Sequence, residues 1–444
     1  MQKRKLREIE ENLPVWVGEE DKIIEPLFCS SFLSRHPMKC IHGCFFTVDG
    51  MITDEAGLKQ EIYDEIKDYQ NARVARKVEE LFGALKMMAY SEEIPLTFDR
   101  IHLANGTWFI DGHFTEEKEY CRNRLEVDYN PETGPPERWL IFLRELLEEE
   151  DIPTVQEFLG YCLLPTTKAQ KMLMLIGKGG EGKSRIGLVM RSILGTSMNT
   201  TSIQKVETNR FSRADLENKL LMVDDDMDMS ALPKTNYIKS LVTAECKMDV
   251  ERKGIQSYQS LLYARFLCFG NGALTALHDR TDGFYRRQIV ITTKDKPAGR
   301  VDDPFLVEKM IAEKEGILLW CLEGLQRLIR NNYRFTISER ARNNVSNAVR
   351  NSNNIIEFLA SEGYVTLGVE GEASTKQIYD VYRNWCEDNA EIFLSPKSFS
   401  MELAKVAEKY NLEDSNNIYI GKGKRCRGYK GISVMDPDNT FLKF

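Results

Sequence analysis

Apolar residues recur at helical spacing from Leu58 to Ala89, in an amphipathic block flanked by the short strand-like runs CFFTV and TWFID. The segment PERWLIFLRELLEEEDIPTVQEFLGYCLLP carries that spacing twice, broken at Pro153 and stopped at Pro165, and so predicts two helices. From about residue 168 to 330 the pattern becomes apolar strand, glycine loop, helix, apolar strand, helix, apolar strand, which predicts a parallel sheet with crossover helices. The helical block Val307 to Asn331 closes this region, and the polar stretch Thr336 to Asn354 reads as a connector. The expected organisation is an N-terminal α/β accessory region over 1–135, a helical region over 136–167, an α/β core over 168–335 and a last small domain over 355–444. The acidic run Glu145 to Asp151 reads as a solvated helix face. No repeat period is visible.

With 42% hydrophobic and 29% charged residues in 444, the chain has the composition of folded globular proteins rather than of disordered ones. Lys plus Arg total 60 against 68 Asp plus Glu, a net charge of −8, so contact with nucleic acid has to come from local basic features. The longest apolar runs, such as Met172 to Ile176, fall far short of the ~20 residues a membrane span needs. The charged start MQKRKLREIEENLP lacks the apolar region of a secretory signal, and a cytoplasmic location is expected. There the ten cysteines are expected to be reduced. Cys29, His36, Cys40, His42 and Cys44 crowd into one stretch, but the spacing lacks the second ligand pair a closed zinc site requires. Core or surface roles are the expectation for them.

The strongest chemical signal is KMLMLIGKGGEGKSRIGLVMRSILG, in which Gly177 to Ser184 fits GxxxxGK[ST], a P-loop. Bound phosphates need exposed backbone N–H groups and a helix N-terminus aimed at one point. Gly177, Gly179, Gly180 and Gly182 allow that approach, Lys183 would reach the β- and γ-phosphates, and the Ser184 hydroxyl would coordinate Mg²⁺. At ~7% Gly, ~6% Lys and ~12% Ser plus Thr, roughly 0.02 matches are expected by chance in this length. Downstream, NKLLMVDDDMD reads as a Walker B strand whose terminal acids hold Mg²⁺ and polarise water; Asp224 and Asp225 are the candidates, Asp224 also for the metal. YARFLCFGNGAL then delivers Asn271 at a strand end, where an amide can orient water. DRTDGFYRRQIVITT places Arg286 and Arg287 before another strand, positions from which a guanidinium can reach a neighbouring subunit's nucleotide.

Two basic features suit DNA. Between the acids and Asn271, YIKSLVTAECKMDVERKGIQSYQS reads as a helix and a hairpin with Arg252 and Lys253 at its tip and Lys247 nearby. Near the C-terminus, Lys422, Lys424, Arg425, Arg427 and Lys430 cluster around glycines and Tyr429.

The succession GKGGEGKS, LLMVDDD, basic hairpin, CFGN and FYRR resembles superfamily 3 helicases, in their phage and plasmid primase/helicase branch. IHLANGTWFIDGHF, RLEVDYNPE and the helical pair are similar to the region preceding the motor in that branch. STKQIYDVYRNWCEDNAEIFLSPKSFSMELAKVAEKYNL followed by NIYIGKGKRCRGYKGISV is similar to its winged-helix ending. The resemblance implies an α/β, AAA+-like P-loop NTPase core, with an N-terminal α/β region, a helical collar over 136–167 and a C-terminal winged helix. It implies ATP and Mg²⁺ as ligands, a homo-oligomeric ring of six subunits as in the family, single-stranded and forked DNA as partner, 3′ to 5′ movement, and a bacterial host cytoplasm. The family's Walker A roles fall on Gly182, Lys183 and Ser184, its acids on Asp224 and Asp225, and its sensor on Asn271. The pore hairpin's base matches Lys253, with Arg252 or Lys247 as neighbours, and the arginine finger Arg286 or Arg287. Departures are GNGALTALHD, without the proline frequent after the sensor, and Asp-Asp-Asp where many relatives carry a glutamate, which leaves the catalytic carboxylate open by one position. The stretch before residue 60 is short for the primase domain of many relatives, so a separate primase or polymerase is an expected partner. The competing reading is an origin-binding initiator ATPase that melts or remodels DNA without processive unwinding.

Overall fold

The computed structural model describes residues 13–18, 22–70, 72–228, 232, 234–276, 282–297, 299, 301–352, 354–389, 391, 393–419 and 425–435. The chain forms two compact units, the first built from 1–228, 236–272 and 289–338, the second from 229–235, 273–288 and 339–444.

In the first unit a helix over Glu25–Arg35 precedes a three-stranded antiparallel sheet of β1 (Lys39–Ile41), β2 (Cys44–Thr47) and β3 (Gly50–Met51). The amphipathic block divides into helices Glu55–Ile66 and Val74–Met88. Arg73 between them has φ 55°, a left-handed conformation that a continuous helix cannot contain. Each helix keeps its own apolar face: Val78, Leu81, Phe82 and Leu85 of the second join Phe28, Phe32, Phe45 and Ile62 in one core. A second antiparallel sheet, β4 (Arg100–Leu103), β5 (Gly106–Phe109) and β6 (Phe114–Thr115), is tied down by Arg124, whose guanidinium donates to the carbonyls of Leu103 and Glu119.

The helical pair forms as Glu137–Leu146 and Ile152–Tyr161, with Pro153 in the first turn of the latter, where its missing N–H is harmless. The second packs on a helix over Lys314–Arg330, with Gly160 against the Cys321 carbonyl and Gly324 against that of Gln156, so side chains at either glycine would force the helices apart. The acidic run is exposed at Glu145, Glu149 and Glu150, as a solvated face is, but not at its end. Its last residue, Asp151, is buried and accepts from Ser338 Oγ at 2.6 Å. Nearby Glu157, also fully buried, accepts from Arg327 Nε at 2.7 Å and from Thr336 N at 2.7 Å. Burial this deep is tolerated because each carboxylate has a hydrogen-bond donor.

The centre of this unit is a five-stranded sheet built from β7 (Met172–Ile176), β8 (Met198–Thr200), β9 (Leu221–Asp224), β12 (Arg265–Gly270) and β13 (Gln288–Thr292), in the order β13-β7-β12-β9-β8. The pairs β7/β12, β12/β9 and β9/β8 are parallel. The chain is thus mixed α/β, as the apolar runs predict. An antiparallel hairpin of β10 (Met248–Arg252) and β11 (Ile255–Ser260) follows the helix Asn236–Thr243.

In the second unit the expected connector is instead a helix, Glu339–Ser352, followed by Asn354–Ala360. β14 (Val365–Ser374), helices Thr375–Asp388 and Pro396–Ala407, and the strands β15 (Glu413–Tyr419) and β16 (Arg425–Val434) complete it, with antiparallel order β14-β16-β15. Ser374 and Gln377 form a capping box at the first helix, and Ser395 accepts from Ser398 N at the second. Phe358, Tyr382, Trp385, Phe399, Leu403 and Ile432 make the core. Among the described residues no helix is long and apolar enough to cross a membrane.

Candidate functional site

The glycine-rich loop sits where the sheet's topology calls for a ligand site, at the carboxyl end of a central parallel strand. β7 runs buried to Leu175 and ends at the half-buried Ile176, the chain turns through residues 177–183, and the helix Ser184–Leu194 starts at once. Gly177 N donates to the Gly270 carbonyl at 3.0 Å, fixing the loop's base beside β12. Gly179 and Gly182 have φ of 107° and 106°, which L side chains rarely adopt, so their glycine identity is a backbone requirement. The loop borders a cavity of about 470 Å³, within the range of ligand sites.

Lys183, Ser184, Asn271, Asp225 and Asp226 line this cavity. Asn271 arrives there because β12 ends at Gly270. Asp224 lies apart from these residues. Its carboxylate is buried, accepts from Ile203 N at 2.8 Å and does not line the cavity. Burial pushes its pKa above the usual carboxylate value. Register explains the displacement: Asp224 pairs with Cys268, whereas Gly270, two residues on, pairs with Ile176 at the mouth of the loop. Asp226 is the acid at that level, and Met227 N donating to the Phe269 carbonyl holds the turn there. Counting apolar positions passes over Asp226; the cross-strand level places it at the mouth of the loop, beside Asp225. Glu181, also missed, lies within the loop, its carboxylate 2.8 Å from both Gly179 N and Lys183 Nζ.

Arg286 and Arg287 fall in the second unit, in the turn after the short helix Asp282–Tyr285. Arg286 is exposed, while Arg287 donates to the Gly283 carbonyl of its own turn. At the hairpin, Lys253 is exposed at a tip turned by Gly254 at φ 74°. Arg252 is exposed but engaged, with its guanidinium 3.0 Å from Glu217 and 3.3 Å from the Tyr258 hydroxyl, and Lys247 is exposed just before β10. In the second unit Arg427 pairs with Asp414 at 2.7 Å and Arg425 is exposed; Lys422 and Lys424 lie outside the described residues.

The cysteine and histidine stretch is dispersed. Cys29 is buried, its thiol pushed up to about 11 by burial, while His42 lies 3.4 Å from Glu93 and Cys44 is exposed. Among the described residues no group of three or more His, Cys, Asp or Glu could hold a metal ion. A larger cleft, about 550 Å³, is lined by His42, Lys86, Glu93, Arg122 and Tyr258. Its cations are matched by carboxylates, Lys86 by Glu55 at 2.9 Å and Arg122 by Glu93 at 3.0 Å, and among the described residues no glycine-rich loop borders it; the smaller cavity has that loop and the helix start at Ser184, which makes it the better anion site.

Residues 175–287, from the end of β7 to the arginine pair, match the model of a family of unknown function, DUF5906. The fold has solved counterparts. The A-form apo structure of the NrS-1 C-terminal region matches with a TM-score of 0.53 and 12% identity, covering 91% of this chain and 100% of that one. The apo structure of the same region spanning 305–718 matches with a TM-score of 0.53 and 12% identity, covering 93% and 100%. At such identities the likeness is one of fold, and it extends over both units. No protein of curated function matches the sequence.

Proposed function

We propose that this chain is an ATP-driven DNA helicase of a phage, plasmid or integrative element, a ring motor that moves on single-stranded DNA during replication. The observation that carries the reading is one cavity bounded by a GxxxxGKS loop, a helix N-terminus, two exposed carboxylates and a strand-end amide. ATP is its substrate, and Ser184, Asp225 and Asp226 are the oxygen donors that suit Mg²⁺, a hard cation that neutralises charge between phosphate oxygens. Backbone N–H groups of the loop and Lys183 hold the phosphates, the Asp226 carboxylate polarises the attacking water, and Asn271 orients it. Arg286, the exposed member of its pair, acts as the finger on a neighbouring subunit's nucleotide, and Lys253 at the hairpin tip grips the strand by a phosphate contact. Arg425 and Arg427 of the second unit, read as a winged helix, add a weaker contact because Asp414 neutralises part of their charge.

The test is ATP-dependent unwinding of forked duplexes of either polarity, with Lys183→Ala and Arg286→Ala as controls and mass photometry on the same samples. Unwinding by a ring, lost in both variants, is expected. Hydrolysis without strand separation on either fork would sink the helicase reading in favour of the initiator ATPase.

A further inference from the structure

Glu181 stands between Gly180 and Gly182 in the loop, yet its side chain folds inward and is 3% exposed. One carboxylate oxygen accepts from Gly179 N at 2.8 Å and the other from Lys183 Nζ at 2.8 Å, the ammonium itself being 9% exposed. Gly177 beneath it leaves the room: a Cβ there would stand 3.0 Å from the carboxylate. Burial by itself would raise the carboxyl's pKa, but the Lys183 ammonium and the backbone amides outweigh it and hold the group below its usual range, so it is an anion. A backbone amide of the loop and the lysine that follows it thus converge on one buried, planar, two-oxygen anion. Those are the donors that a phosphate bound in such a loop requires.

We propose that Glu181 is an internal phosphate mimic, which the phosphates of a nucleotide must displace from Gly179 and Lys183 before they can bind. The inference rests on reading the loop as a nucleotide site. Its consequence is that affinity reflects an exchange of anions: a polyphosphate of high charge competes well against the carboxylate, and a weak anion competes badly. A carboxylate that merely braced the loop has the opposite signature, because its loss would loosen the cradle and weaken binding. The sign of the change in affinity therefore decides between the two.

The experiment is titration calorimetry of the full chain with Mg-ATP, on the wild type, E181Q and E181A, with K183A as the non-binding control and thermal unfolding followed with and without ATP. Gln keeps the shape but leaves the buried Lys183 charge uncompensated, which favours an incoming anion. E181Q is expected to bind ATP about tenfold more tightly or better, the loss of one charge-assisted competitor, and to gain more in Tm from ATP than the wild type does. E181A guards against a Gln that still occupies the cradle. Unchanged or weaker ATP affinity in both variants, with the wild type binding, overturns the mimic and leaves the nucleotide site standing. Absence of binding in folded wild type and variants alike overturns both.

Discussion

Asp224→Asn should leave ATP hydrolysis in place, whereas Asp226→Asn should abolish it, although the two residues are neighbours in one acidic run. Asp224 is 3% exposed, and its carboxylate meets backbone N–H groups, that of Ile203 at 2.8 Å and that of Asp226. Burial raises its pKa, so its ionisation opposes folding. The stability it contributes is complete below the unfolded value near 4 and is lost as pH rises through the higher folded value. Asn has the same shape and keeps an oxygen for the Ile203 amide. At pH 7 the variant is therefore expected within about 1 kcal/mol of the wild type or above it, the difference shrinking towards pH 4. Asp226 instead exposes its charge to the cavity, and loss of that charge is expected to cost a factor of about 100 or more in kcat, or roughly 2.7 kcal/mol of barrier. The assays are phosphate release with saturating single-stranded DNA and urea unfolding across pH 4.5 to 8. If Asp224→Asn loses hydrolysis a hundredfold with stability and ATP affinity intact, while Asp226→Asn stays within a few-fold, the register argument is wrong.

Three further outcomes follow from contacts elsewhere. Glu157→Ala, which strands Arg327 Nε and Thr336 N, should cost about 3–5 kcal/mol in urea unfolding, whereas a solvated acid would cost nearly nothing. Gly324→Val drives a branched side chain into the Gln156 backbone and should lower stability by more than about 2 kcal/mol, read as a fall in Tm of the first unit. Lys253→Ala should lower the salt dependence of single-stranded DNA binding by about one phosphate contact; Arg252→Ala, removing a group committed to Glu217, should change that slope less in a titration at several salt concentrations.

Much of the fold is written in the spacing of apolar residues, because burial on one face leaves a period. The runs Met172 to Ile176 and Phe266 to Phe269 announce β7 and β12, and the glycines between Ile176 and Ser184 announce a loop that only glycine can trace. The helix Glu339–Ser352 escapes the same reading because it buries little: among its described side chains Ala341 and Ala348 are buried, a stripe too thin to register. The division of the block Leu58 to Ala89 escapes for a different reason. Both helices face one core, so the apolar period survives on each side of Arg73 while the backbone between them turns.

Charge is harder to read than apolar spacing because a carboxylate carries no mark of what it faces. Asp151 reads as a solvated acid in sequence and Glu157 carries no mark at all; their partners, Ser338, Arg327 and Thr336, lie far along the chain, and only folding brings them within hydrogen-bond reach. The acidic run after β9 sharpens the point. In an extended strand, residues two apart point to the same side, so alternation cannot tell Asp224 from Asp226. What separates them is height along the strand relative to a neighbour some forty residues later: Cys268 stands beside Asp224, and Gly270 beside the last residue before the glycine loop. Glu181 is hidden in the opposite way, inside the most recognisable motif of the chain, where it reads as a free position. A motif specifies the backbone and the residues that must not vary, and is silent on a side chain that folds back into the cradle those residues build.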